Sequence, residues 1–156
     1  MSHILRFLRV FALGTWVGSI IYFSAVVAQG AFATLHRDDA GTLVGYTLGG
    51  LHYLGVIAAV IYLAASLGLS RSPRGLARPA AIGVFVMLLL TFASQRIVIP
   101  RIDNLRAQMG SVDATPASNP LRAEFDRLHG VSVDLEAGVL LVGLVALFLT
   151  VRSESR

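Results

Sequence analysis

Four stretches of this chain, residues 10–35, 43–69, 79–99 and 131–151, stay apolar for long enough to cross a bilayer, and nothing else in the sequence constrains the fold as strongly. About 20 apolar residues span the hydrocarbon as a helix, because a backbone surrounded by lipid must satisfy its own N–H and C=O groups within the segment. The sequence therefore predicts an all-α, integral membrane four-helix bundle forming a single domain over residues 1–156. It would be a multi-pass protein of the cell membrane, the inner membrane in a bacterium, with the lipid bilayer as its first partner. Composition agrees: 55% of residues are hydrophobic, 14% are charged and the mean hydropathy is +0.72. Arg6 and Arg9 ahead of an apolar run, with Val26, Val27 and Ala28 as a small-residue site, also fit a signal peptide. The run over 10–35 is too long for that role, since the apolar core of such a peptide covers about 7–15 residues.

Arginines flanking the spans set the expected orientation. Arg6 and Arg9, then Arg71, Arg74 and Arg78, then Arg152 and Arg156 fall on one side, whereas the short loop near His36 has only Arg37. By the positive-inside rule both termini are cytoplasmic, an N-in/C-in arrangement. The connection over 101–128, which carries four arginines, then lies outside with the long third and fourth helices projecting into it.

There is no cysteine, which excludes disulfides, thiolate metal sites and thiol nucleophiles. All 13 basic residues are arginine, and they are scattered through the loops, so the net charge of +4 makes no case for nucleic acid. Gly14 and Gly18, then Gly41, Gly45 and Gly49, recur every four residues and predict close helix packing, within the bundle first and in a homo-oligomer as the alternative. Pro79 fits the first turn of the third helix, and Pro100 should kink or end it. Residues 110–120, small and polar with two prolines, read as a flexible loop. Ser118 and Asn119 before Pro120 are a helix-start signal, and the last helix then runs to about residue 151, roughly 45 Å.

Taking the cytoplasmic arginines as a floor gives each polar residue inside a span a height. Gln29 lies 20 residues from Arg9, His52 19 from Arg71, Arg96 18 from Arg78, Asp134 18 from Arg152 and Glu136 16 from it. At about 1.5 Å per residue all five reach roughly 24 to 30 Å, one layer near the outer boundary. An ion pair between Arg96 and Glu136 or Asp134 is then available. Glu136 is preferred, because His129, Ser132 and Glu136 fall on one helical face at i, i+3 and i+7 while Asp134 lies off it. An intramembrane arginine costs on the order of 2.5 to 3.5 kcal/mol at a span's centre, so snorkelling, clamping helices or holding a ligand are all open to Arg96.

His3 and His36 fall in a tail and a short loop. His52, in GGLHYLG, and His129, at the mouth of the last helix, are the two histidines that suit an outer pocket, where they could ligate haem iron or a transition metal. Trp16, Tyr22, Tyr53 and Tyr62 read as packing or interface aromatics. No nucleophile elbow, phosphate loop, zinc-protease motif or dinucleotide fingerprint is present, so no catalytic residue is assigned and enzymatic activity is not expected.

The pieces TWVGS, LHYLG, QRIVIPR and LRAEFDRLHGVS, one from each helix, resemble the transmembrane-protein-205-like membrane family, whose domain has no assigned function. Trp16, His52, Arg96, Pro100, Arg101, Phe125, His129 and Ser132 match its pattern, while Gln95 and Glu136 stand where that pattern has an asparagine and an amide. At fold level only, the family is similar to copper-resistance D-like and membrane protoporphyrinogen oxidase-like four-helix proteins. That similarity implies haem b or copper as cofactor, with His52, His129 and Arg96 as the cofactor-binding set and the two histidines as metal ligands. The link of eukaryotic members with cisplatin resistance implies a transport or trafficking role for a small oligomer, and a non-catalytic scaffold is the third reading.

Overall fold

A computed structural model describes residues 2–154, which form four long helices and no strand. These are α1 (Ser2–Thr34), α2 (Arg37–Ser70), α3 (Pro79–Met109) and α4 (Pro120–Glu154), each long and apolar enough to cross a membrane. Only Leu35 and His36 join α1 to α2, so the pair must be antiparallel neighbours. Residues 71–78, with a 3₁₀ turn over Pro73–Ala77, join α2 to α3, and residues 110–119 join α3 to α4. Arg156, one of the arginines used for orientation, lies outside the described residues.

The helix starts follow the local chemistry. Asn119 Oδ1 accepts a hydrogen bond from the Leu121 N–H at 2.9 Å, with Pro120 in the first turn, where its missing donor costs nothing. Pro100 neither ends α3 nor breaks it. Instead the helix widens into a π segment over Ser94–Val98, with the Ile99 N–H reaching back five residues to the Ser94 carbonyl. A proline ring clashes with the carbonyl four residues before it, and a widened turn just ahead of the ring is one way to relieve that clash. A second π segment, Phe23–Val27, interrupts α1 with no proline near it, and nothing in the structure explains it.

The bundle is a ring in which α1 packs on α2 and α4, α3 packs on α4, and α2 meets α3 more loosely. Its core holds Leu13, Trp16, Val17 and Ile20 from α1, Tyr62 from α2, Val84 and Met87 from α3 and Val139 from α4, each at most 2% exposed. The outer surface is equally apolar: Phe11, Val60, Leu89, Leu141 and Phe148 are more than half exposed. A continuous apolar exterior of this kind is a lipid-facing surface. Lipid is as apolar as the core, so close packing and interhelical hydrogen bonds hold the helices together.

The glycines that permit close approach differ from those expected. A Cβ on Gly55 would lie 2.5 Å from Trp16 Cε2, and one on Gly143 would lie 2.8 Å from Val17 Cγ2 and 2.9 Å from Met87 Cε. Around Gly14, Gly18, Gly45 and Gly49 nothing lies within 4 Å, and the space beside Gly41 is taken by the Arg106 guanidinium. Four-residue spacing finds a small-residue ridge but not the direction it faces, and these ridges do not pack the bundle.

Two polar knots tie the ends. At the end bearing the termini, Arg9 is 3% exposed, donates to Glu154 at 2.7 Å and to the Tyr62 hydroxyl at 3.1 Å, and lies over the Tyr62 ring. Tyr62 Oη also hydrogen-bonds Thr150 Oγ1 at 2.8 Å, so α1, α2 and α4 are joined through one arginine. Arg9 is therefore a buried clamp rather than a solvated flank. At the other end, the loop expected to be flexible is pinned: Asp38 accepts from Ser111 Oγ at 2.6 Å and from the Val112 N–H at 2.9 Å. Val112 is 2% exposed in a small second core with Val98, Ile102, Phe125 and Leu128. The connection expected over 101–128 is thus helical at both ends, and only residues 110–119 remain between helices.

Candidate functional site

At mid-length of α2, His52 is 3% exposed and both of its ring nitrogens are engaged. Nδ1 is 2.7 Å from Gln95 Oε1 on α3 and Nε2 is 3.2 Å from Glu136 Oε2 on α4. Gln95 Oε1 is an acceptor, so Nδ1 donates to it. The contact of Nε2 with the Glu136 carboxyl is the second interhelical link, so one imidazole joins α2 to both α3 and α4.

Arg96 is not part of it. It is exposed on α3, one residue past Gln95 on the widened turn and so turned away from it, and its guanidinium lies 5.7 Å from the centre of the Phe92 ring. None of the ion pairs among the described residues includes Arg96; Glu136 pairs with His52 instead. Asp134 is exposed and Glu136 half-buried on α4. Counting residues located the layer but not the angle within it. The buried stripe Met87, Thr91, Ser94 and Val98 on α3 is the signal that points to Gln95's side of the helix.

His129 is exposed and stacks on Phe125, their ring centres 6.2 Å apart. It stands seven residues before Glu136, roughly 10 Å further along α4, whereas two imidazoles sharing one ion need nitrogens about 4 Å apart, two metal–nitrogen bonds of about 2 Å. With both His52 nitrogens already bonded, the histidine pair does not fit a shared haem iron or copper ion. Among the described residues no group of three or more His, Asp or Glu side chains is placed to hold a metal. Of the other residues singled out from the sequence, Trp16, Phe125 and Ser132 are buried packing residues, while Pro100 and Arg101 are exposed.

Beside the junction, the loose seam between α2 and α3 opens into a groove of about 690 Å³. Val56, Phe85, Leu88, Leu89 and Phe92 form its apolar length, and His52, Gln95, Thr91 and Arg96 its polar end. Thr91 is 3% exposed, and its Oγ1 has no hydrogen-bond partner among the described residues; Ser94 Oγ is orphaned likewise. A second cavity of about 670 Å³ adjoins at Arg96, lined also by Pro100, Arg101, Asn104, Leu105, Glu124 and Leu128.

A family described as a domain of unknown function (DUF4149) matches residues 11–111. The chain belongs to this family. The DUF4149 match spans most of α1, all of α2 and α3, and the start of the connection to α4. Every residue lining the groove lies inside it, and Glu136 lies beyond it. Comparison with curated proteins and with solved structures gives no match.

Proposed function

We propose that this multi-pass membrane protein binds an amphiphilic molecule drawn from the bilayer, in the groove between α2 and α3. The observation that carries the reading is the groove itself. Its volume of about 690 Å³ falls in the range of ligand pockets, about 300–1,000 Å³, and its lining divides into an apolar length and a polar end. From Phe85 to Arg96 the wall runs roughly 16 Å along α3, which suits an extended apolar chain with a polar head. The interhelical bonds of His52 fix the polar end. Haem and copper, suggested by the resemblance to copper-resistance D-like and protoporphyrinogen oxidase-like proteins, are not favoured by the donor geometry.

In this reading the termini are cytoplasmic, on the strength of Arg71, Arg74 and Arg78 in one short connection, so the polar end lies toward the outer leaflet. Photocrosslinking with a diazirine-bearing fatty acid tests the assignment. Adducts should saturate, map to residues 49–56 and 85–96, and fall when Leu88→Trp fills the groove. Adducts spread evenly over the lipid-facing surfaces of all four helices, unchanged by Leu88→Trp, would mean that the groove holds only boundary lipid.

A further inference from the structure

Building on the groove reading, we infer that the occupant is an anionic phospholipid whose phosphate is held by Arg96 and Arg101 at the mouth of the groove. Arg96 lines both cavities, so the apolar groove and the basic pocket meet at its side chain. Arg101 lines the second cavity, and neither arginine has an ion-pair partner among the described residues. The one carboxylate there, Glu124, is taken by Arg127, which donates to both its oxygens at 2.6 and 2.8 Å. Two exposed arginines without an ion pair therefore border one cavity whose lining carboxylate is already held by Arg127, at the depth where the apolar run of α3 ends.

The groove supplies an independent observation: its apolar length, formed by Phe85, Leu88, Leu89 and Phe92 of α3 and Val56 of α2, starts directly beside Arg96. From Arg96 back to Phe85 it runs roughly 16 Å along α3. A phospholipid whose phosphate is at the arginines lays its acyl chain along Leu88, Leu89 and Phe85. Free phosphate would satisfy the arginines but leave the apolar groove unfilled, which is why the lipid is the assigned source.

The test uses the full chain in a mild non-ionic detergent, with native mass spectrometry measuring retention of phosphatidylglycerol, of phosphatidylcholine with the same acyl chains, and of glycerol phosphate. A basic residue near an anionic lipid is worth about fivefold in affinity. Phosphatidylglycerol should bind more tightly than phosphatidylcholine. Arg96→Gln and Arg101→Gln should each lower its affinity by about fivefold and leave phosphatidylcholine unchanged, and Arg96→Lys should keep most of the preference. Equal retention of the two lipids, with no effect of either substitution, overturns the headgroup assignment while the groove reading stands. Loss of all lipid retention, insensitive to Leu88→Trp, overturns both. Glycerol phosphate binding as tightly as phosphatidylglycerol overturns the lipid and leaves a soluble phosphate in its place. Both arginines are exposed, so an unchanged melting temperature is expected of each variant and separates lost binding from lost fold.

Discussion

Replacing Gly55 by alanine places a methyl group where the indole of Trp16 already sits. The added Cβ would lie 2.5 Å from both Cε2 and Nε1 and 2.8 Å from Cζ2, against the roughly 3.5–4.0 Å of an ordinary contact. Something must move by about 1 Å. Trp16 is 1% exposed and wedged among core side chains, so the indole cannot swing aside cheaply. Overpacking of this kind costs about 1–3 kcal/mol, of which alanine's better helix propensity returns at most about 1 kcal/mol. A net loss of up to about 2 kcal/mol corresponds to a melting temperature lower by up to about 8 °C for a chain of this size. Gly45→Ala on the same helix is the control: nothing lies within 4 Å of its Cβ, and it should melt at or above the wild-type temperature. Trp16 is the only tryptophan, so its emission reports on this contact alone and should shift in Gly55→Ala but not in Gly45→Ala. Adding Trp16→Leu to Gly55→Ala should remove the penalty of the alanine. If Gly55→Ala melts like Gly45→Ala with unshifted emission, α1 and α2 do not meet at this contact and the packing argument fails.

Four further outcomes follow from the same structure. Breaking the Arg9–Glu154 pair with Arg9→Met should cost somewhat less than the roughly 3–5 kcal/mol of a fully buried pair, because Glu154 keeps Arg6 at 3.3 Å; full additivity with Glu154→Gln in thermal unfolding would show that the two do not interact. A double-mutant cycle of His52→Leu with Glu136→Gln should show coupling of about 0.6–1.7 kcal/mol, whereas Arg96→Gln with Glu136→Gln should add within about 0.5 kcal/mol; the reverse pattern would restore the arginine as partner of the acid. Arg71 ends α2 in the left-handed region at φ 50°, so Arg71→Gly should raise stability by up to about 1 kcal/mol in the same melts, and a lower melting temperature would contradict that account. Asp38 stands ahead of the apolar run of α2, and the Ser111 hydroxyl, then the Val112 and Asp113 N–H groups and Arg106, hold its carboxyl below the usual aspartate range against the opposing effect of burial. Its hold on the loop is therefore complete above the ordinary aspartate value of about 3.9 and is lost as pH falls through the lower folded value; a carboxyl carbon shift that titrates at or above 3.9 would refute it.

Much of this architecture is legible in the residues one after another. Length of apolar runs, with Asn119 and Pro120 marking the last start, determines four membrane-crossing helices, because in lipid a segment's backbone must satisfy itself and the helix is set locally. Height is also local: rise per residue alone brought His52, Arg96 and Glu136 to one level. Direction is not. Whether Gln95 or Arg96 faces His52, whether Gly55 or Gly49 meets a neighbouring helix, and whether Arg9 is solvated or buried against Tyr62 all depend on the rotation of one helix against another. That rotation is fixed by side chains distant in sequence, which is why the sequence supplied the layer and only the tertiary structure decided its partners and the groove they leave open.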